Sequence, residues 1–414
     1  VRVRVVAIHE LGPRAERLEQ AGIPLECAQG DPERLAQALA GAELVHVFRG
    51  GYREPLLPAA CRRAGVPRLV ETNVFGQVDP SPDEALFDCH LFVSKMCALR
   101  YRGRTGRLDQ PGFHDRHRVS YWPIETGRLR SLAPTRAQAK ADLGFDPERA
   151  VVGRIGRDDD RKWRRLLIDM LPPLFELAPD AQVLLVGATP AKLRRLARLG
   201  LSERVRVLSP SSDEGELARL YAACDVFVSA AEIGESYSVA ICEAMALGLP
   251  VVTCSTPWVD NGQVEQVDHG LNGFLADHPR VFAEAVAALA KDGELRSRFS
   301  REAAAKADRL WEVGALTRQL ERLYGSLIES GRAPEDWQPP ADEVDRFGEE
   351  YERRSRAQFR PLSASERASV RLERLRERSG WALRAARGLD REKLRLAVSM
   401  LKARLWATPG RTKP

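Results

Sequence analysis

Residues 224–254 read CDVFVSAAEIGESYSVAICEAMALGLPVVTC. The run CDVFVSA is apolar on both alternating faces and too short for a helix, so it reads as a strand buried on both sides. A polar, glycine-containing loop follows. SVAICEAMALG then has the length and spacing of a buried helix, and LPVVTC reads as the next buried strand. Two buried strands joined by a helix form the unit of a parallel sheet. The same rhythm runs outward from this stretch: AVVGRIGR, WRRLLIDMLPPLFELA, AQVLLVG, AKLRRLARLG, RVRVLS and GELARLYAA precede it, and GFLAD and VFAEAVAALAKDG follow. An earlier series begins with VRVRVVAI and continues through AELVHVF (42–48), PLLPAACRRAG, VPRLVETN, HLFVSK (90–95) and RVSYWPIE (118–125). The fold expected is therefore α/β, with two Rossmann-like parallel-sheet domains facing each other across a cleft and a basic helical tail at the C-terminus. The expected boundaries are an N-terminal domain at 1–130, a linker at 131–149, a C-terminal domain at 150–330, and a connector and tail at 331–414.

The composition supports a globular chain with ample core. Of 414 residues, 44% are hydrophobic and 29% charged. No run approaches the roughly 18 apolar residues of a membrane-spanning helix. The N-terminus reads as a strand, without the apolar segment and cleavage site of a signal peptide. The seven cysteines (27, 61, 89, 97, 224, 242 and 254) include no C-x-x-C pair. They lie mostly in apolar runs and read as buried free thiols of a reducing compartment. The net charge of +6 is uneven: Pro361–Pro414 holds 14 Lys and Arg against 5 Asp and Glu, so the tail carries +9 and the body −3. Basicity confined to a tail argues against a nucleic-acid partner for the whole protein.

Two segments carry the candidate chemistry. In AEIGESYSVAICEAMALGLPVVT (231–253), a helix start near Ser236, Tyr237 and Ser238 would present unpaired amides to an anion. Glu235 precedes it and Glu243 lies eight residues later. The helical rise puts Glu243 about 8–10 Å beyond the helix start, roughly the distance from a diphosphate to the ribose of a nucleotide sugar. A carboxylate can accept from two vicinal hydroxyls, so Glu243 suits a ribose diol and Glu235 the hydroxyls of a hexose. The alternative is an ordinary amphipathic helix with one capping glutamate. In VVGRIGRDDDRKWRR (151–165), Gly156 lets the backbone approach a ligand, and Arg157 and Lys162 can hold a diphosphate. Asp158, Asp159 and Asp160 read as exposed and paired with neighbouring cations rather than as metal ligands.

Together these segments resemble the retaining glycosyltransferases of family 4, which have the GT-B fold. The resemblance spans most of Ala42–Leu327. It rests on the E-x7-E pair Glu235 and Glu243, the Gly-Arg-x4-Lys loop of Gly156, Arg157 and Lys162, and Gly187 after VLLVG. It also rests on ELARLYAACDVFVSA and on GLPVVTCSTPWVDNGQVEQVDHGLNGFLAD with Glu265. The resemblance implies a nucleotide-diphosphate sugar bound by the C-terminal domain, an acceptor bound by the N-terminal domain, and neither metal nor other cofactor. Transfer would be from the donor to a glycan, glycolipid or other cell-surface acceptor. Arg157, Lys162 and Glu235 would be catalytic; Gly156, Gly187, Ser236, Tyr237, Ser238 and Glu243 would bind the donor.

The sequence departs from the family pattern in three places. The usual first strand and its glycine loop have no counterpart, or are replaced by the modest loop at Gly12, so the expectation is either a truncated chain or an abridged N-terminal domain. Thr72-Asn73-Val74 stands where a histidine often lies near the reaction centre. Glu235-Ser236-Tyr237-Ser238 replaces Glu-Gly-Phe-Gly. Asn73, Asn261 and Gln263 are candidates for lining the cleft, with an internally bonded turn as the alternative for Asn261 and Gln263. His46 reads as a satisfied core histidine rather than a base. The rival functions are a non-catalytic GT-B subunit that binds or scaffolds, and a phosphorylase, which would need a pyridoxal-binding lysine. No G-x-G-x-x-G follows a strand, which argues against a dinucleotide oxidoreductase. In the tail, Leu394, Val398, Leu401 and Leu405 share a helical face apart from Arg391, Arg395, Lys402 and Arg404. That helix would either lie on an anionic membrane at the inner face or pack on the protein body.

Overall fold

The computed structural model describes residues 2–52, 54–79, 81–105, 113–257 and 259–357. The tail helix and Trp258 lie outside the described residues. Twelve strands are assigned among the described residues: β1 (Val5–Ala7), β2 (Leu25–Cys27), β3 (Val45–Arg49), β4 (Leu69–Asn73), β5 (Cys89–Phe92), β6 (His117–Val119), β7 (Val151–Ile155), β8 (Gln182–Val186), β9 (Arg206–Leu208), β10 (Val226–Ser229), β11 (Val251–Thr253) and β12 (Gly273–Leu275). They make three sheets. The larger has the order β12-β11-β10-β7-β8-β9, the second β3-β4-β5-β6, and β1 pairs only with β2. Every pairing is parallel.

The larger sheet is the fully buried kind that its sequence announces. All residues of β7, β10 and β11 are buried, and the helices on its two faces contribute Leu167, Leu174, Met245 and Phe282. From β7 the chain winds outward to β8 and β9, then returns to lay β10 on the other side of β7. That reversal is a topological switch point, where the loops after two adjacent strands part and leave a crevice. The loops after β7 and β10 hold the two segments singled out in the sequence.

The four-stranded sheet is covered differently. The helices Pro32–Leu39 and Leu56–Ala64 pack Leu35, Leu39, Leu57 and Ala60 over Leu69. A second cluster joins Val70, Cys89 and Leu91 to Leu323 and Leu327 of the helix Val313–Ser330 and to Trp337. Burying a leucine contributes about 1.5–3 kcal/mol, so this helix belongs with the four-stranded sheet, the first of the two large sheets in chain order, although it ends the second series of elements. The helix Ala341–Ala357 continues the return and packs against Lys95–Thr105. The expected linker is likewise packed structure: Ala139 and Leu143, four apart around the helix Arg136–Asp142, are buried in the core of the larger sheet. β2 lacked a signal because its three residues, Leu-Glu-Cys, are too few to show a period.

Candidate functional site

The carboxyl-end loops of the two large sheets meet. Ser94, just after β5, donates from Oγ to the Ser236 carbonyl at 2.8 Å. The Tyr237 hydroxyl donates to the Trp122 carbonyl at 2.9 Å. Glu265 fastens the joint: its buried carboxylate accepts from the Lys95 amide at 2.8 Å and the Tyr121 hydroxyl at 2.7 Å. Burial pushes the Glu265 carboxyl above its ordinary range, against the pull of Lys95.

At the switch point, Lys162 Nζ lies 2.7 Å from Glu235 Oε2. The loop that carries Lys162 is tied to the loop after β10: the Arg164 amide donates to the Ala230 carbonyl, and the Glu232 amide to the Arg161 carbonyl. Beneath them is a residue that spacing did not single out. Arg154 sits within β7, only 3% exposed. It donates to the carbonyls of Ile155 and Lys162 and lies over the Trp163 ring at 5.0 Å. Burial lowers its pKa, while the charge of Glu235 acts the other way. A buried positive charge under a loop that already holds Lys162 biases the crevice toward anions. Its signal in the sequence was an arginine inside an otherwise apolar strand.

Gly156 and Gly187 end the two neighbouring strands. Gly187 has φ +77°, and a Cβ there would fall 2.1 Å from the Gly156 carbonyl oxygen, so the two loops can approach only with glycine in place. Arg157 is exposed. Asp159 is held down to about 2 by the Arg161 guanidinium, and Asp160 is lowered by hydrogen bonds from Thr189 and Lys192. Asp159 and Asp160 are thus paired with neighbouring cations, Arg161 and Lys192, as expected for two of the three. Among the described residues the one grouping with metal-ligating geometry is Glu71, Glu84 and His90. Arg49 already occupies it, 2.8 Å from Glu71 and 3.1 Å from Glu84.

The helix expected to begin near Ser236–Ser238 spans Val239–Ala246, with Ser238 as its N-cap. Its approach is partly occupied, which corrects the expectation of a fully open row of amides. The Glu235 amide donates to Gln263 Oε1 and the Ser238 amide to Gln266 Oε1. Gln263 and Gln266 are three apart on one short helix, so both side chains point at the same loop. Among the described residues, the N–H groups of Ser236 and Tyr237, between them, have no hydrogen-bond acceptor. Asn261 and Gln263 do not line a cleft. They are 1% and 2% exposed and bonded to Ser255, Thr256 and Cys254, with Asn261 also donating to the Tyr351 hydroxyl at 2.9 Å. A loop whose backbone polar groups are buried needs side-chain amides to satisfy them, and these two serve that need. Asn73 is also fully buried, donating to the Gln77 carbonyl at 2.8 Å.

Glu243 is half-buried and accepts from the Tyr221 hydroxyl at 2.8 Å. Burial raises its pKa, and Tyr221 opposes the shift. One carboxylate oxygen is thus fixed by a tyrosine from the preceding helix, a partner that sequence reasoning missed because the two lie 22 residues apart. His46 shares hydrogen bonds with Tyr324 at 2.6 Å and Thr72 at 2.7 Å, so both ring nitrogens are satisfied, as expected of a core histidine. All seven cysteines are free, and all but Cys27 are buried. No helix of the described residues is long and apolar enough to cross a membrane.

Residues 147–292 match the family described as glycosyl transferases group 1. A D-inositol 3-phosphate glycosyltransferase of Corynebacterium glutamicum is 32% identical over 202 residues, covering 46% of this chain and 47% of that protein. A phosphatidyl-myo-inositol mannosyltransferase of Mycobacterium leprae is 32% identical over 199 residues, covering 46% of this chain and 52% of that protein. The alignments thus span about half the length of these curated relatives. Among solved structures, HepE of Anabaena in complex with UDP and glucose superposes with a TM-score of 0.61 at 21% identity, covering 78% of this chain and 92% of that one. A glycosyltransferase of Rickettsia africae gives 0.63 at 15% identity, covering 79% and 90%. The chain therefore has the GT-B fold and carries, over residues 147–292, a group 1 glycosyltransferase domain.

Proposed function

We propose that the protein is a retaining, metal-independent glycosyltransferase of the family 4 type, using a nucleotide-diphosphate sugar. The observation that carries this reading is the Lys162–Glu235 pair at the switch point, with the N–H groups of Ser236 and Tyr237 beside it. Breaking the bond between sugar and diphosphate leaves negative charge on the phosphate oxygen. Lys162, Arg157 and those N–H groups meet that charge where it develops, with Arg154 adding a fixed positive field from below. Glu243 accepts from the ribose hydroxyls, held by Tyr221. Glu235 holds Lys162 until the donor arrives and then accepts from hexose hydroxyls.

The names of the relatives make an inositol phosphate, free or lipid-linked, the first acceptor to try. The basic segment Pro361–Pro414 would bring the enzyme to an anionic membrane; vesicle co-sedimentation unchanged by its removal would dismiss that role. The main test is calorimetry with UDP-glucose and GDP-mannose, followed by NMR of the released or transferred sugar. Donor binding with slow hydrolysis and α-configured product supports the reading. Binding without any turnover supports the non-catalytic subunit instead, and an inverted anomer removes the retaining mechanism.

A further inference from the structure

Among the described residues, the exposed Phe, Tyr and Trp side chains are four: Phe48 at 61%, Tyr52 at 50%, Phe75 at 39% and Trp122 at 37%. All four lie at the carboxyl ends of the first large sheet, on β3 or in the segments that follow β3, β4 and β6. Phe48 and Trp122 have ring centroids 6.2 Å apart. The Arg49 carbonyl still accepts from the Val74 amide, so the β3–β4 ladder runs on and places Phe48 and Gly50 on one face. At Gly50 a Cβ would stand 2.8 Å from both the Phe75 and Tyr52 rings. Glycine is what lets those rings close over the strand end.

The rim touches the donor side of the cleft, since the Trp122 carbonyl accepts from Tyr237 beside the candidate phosphate site. It is also braced from behind. Phe48 stacks on His46 at 4.6 Å, and His46 is fixed by Thr72 and Tyr324. Four large exposed rings in one place are unusual on a soluble surface and mark a binding face. Their character selects the ligand. Between Val45 and Glu125 the one other large exposed apolar side chain described is Leu86, so the rim offers flat π-faces and little branched aliphatic surface. An alkyl chain gains little from a π-face over an aliphatic groove. A six-membered polyol ring has polarised C–H bonds on one face, which meet the negative face of an aromatic ring, and hydroxyls at its edge that stay in water.

We propose that this rim is the acceptor subsite and takes a pyranose or cyclitol ring by its C–H face. The proposal rests on the glycosyltransferase reading and names the acceptor class within it. The test is saturation-transfer NMR on the full chain with UDP present. The probes are methyl α-mannoside, methyl β-glucoside, myo-inositol and, as the lipid arm, dodecyl phosphate. Transfer to ring C–H protons of at least one cyclic polyol is expected, and Phe48→Leu/Trp122→Leu should weaken it on the order of tenfold, since leucine keeps apolar bulk and removes the π-face. The single variant Phe48→Leu, at the most exposed of the four rings, gives the same comparison if the double variant does not fold. No transfer to any ring, equal transfer in the leucine variants, or transfer confined to the dodecyl chain would each overturn the proposal. UDP-glucose titrated into the same samples scores the donor site separately. Wild-type protein that binds no nucleotide would sink the glycosyltransferase reading, while the polyol contact would still stand or fall on its own signal.

Discussion

The two large sheets present their carboxyl ends to the same cleft in opposite styles. The loops after β7 and β10 are polar and knitted together: Lys162 to Glu235, Glu235 to Gln263, Ser238 to Gln266. The end of β3 and the segments after β3, β4 and β6 are open and aromatic, with Phe48, Tyr52, Phe75 and Trp122 exposed. A diphosphate demands charges and N–H groups fixed in advance, because dipoles that must turn to meet a charge stabilise it less. A ring face demands only a flat surface. The first style costs a buried polar network and constrains many residues; the second needs a few large side chains and a glycine.

The joint between the regions gives the largest expected effect. Glu265 lies on the donor side, yet its carboxylate satisfies Lys95 and Tyr121 of the other half. Glu265→Ala leaves the Lys95 amide and the Tyr121 hydroxyl buried without their acceptor, a change that typically costs about 1–3 kcal/mol for each group. Urea denaturation should show that loss, with the fluorescence transition splitting as the two sheets lose their common anchor. A variant that unfolds as one unit at wild-type urea concentration would show that the halves are joined elsewhere.

The next effect tests preorganisation on the donor side. Lys162→Ala should lower kcat by about 100- to 1000-fold, equal to about 2.7–4 kcal/mol of barrier, while the donor KM rises far less. The reason is that the leaving oxygen gains charge only in the transition state. Lys162→Arg should recover part, because a planar guanidinium places its charge differently. Steady-state transfer or donor hydrolysis decides it. Wild-type kcat with a greatly raised KM would reduce Lys162 to a ground-state anchor.

A smaller effect is expected at the ribose. Glu243→Ala should weaken UDP-glucose binding by about 1.5–3 kcal/mol, the range for a hydrogen bond to a charged group. The 2′-deoxyribose donor should lose much less in the variant than in wild-type protein. The pH dependence has a definite sign. Burial raises the Glu243 pKa, so its carboxylate protonates at a higher pH than a free glutamate. A ribose diol donates to the ionised form, so affinity should fall with decreasing pH earlier than a free carboxylate would allow. Calorimetry across pH on both proteins reads this directly; a profile shared by wild type and variant would assign the titration to another group.

The same contrast explains what the sequence could reveal. The larger sheet was legible because its strands are continuous apolar runs, and its candidate site residues fall at fixed spacing in two strand-loop units, after β7 and after β10. Lys162 meeting Glu235 required only that the loops after β7 and β10 adjoin. Tyr221 and Arg154 were hidden because their roles come from packing rather than spacing. Asn261 and Gln263 misled for a related reason: a polar loop looks the same whether its amides face a ligand or satisfy buried backbone. The rim was invisible because its four rings are spread from residue 48 to residue 122, and an isolated aromatic in sequence reads as core. The return of Val313–Ser330 to the first sheet was hidden too, since an amphipathic helix does not name the surface it covers.

The smallest effect concerns the brace behind the rim. Burial lowers the His46 pKa from 6.5 to about 4, so the native ring stays neutral over a range where the unfolded ring is protonated. Between those two values the unfolded state binds more protons, and stability should therefore rise with pH across the window. The slope from this one group is at most about 1.4 kcal/mol per pH unit. His46→Gln can keep one hydrogen bond, to Thr72 or Tyr324, and does not titrate. At pH 7 the variant should be less stable by about 1 kcal/mol, the net worth of the bond it loses. On acidification below 6.5 the wild type loses the His46 contribution and the variant does not, so the gap between them should narrow and then reverse before pH 4. Urea unfolding of both proteins at pH 7, 6 and 5 measures it. A gap that stays constant would mean that His46 charges freely in the native state, and Phe48 would then stack on a cation rather than on the neutral brace described for the rim.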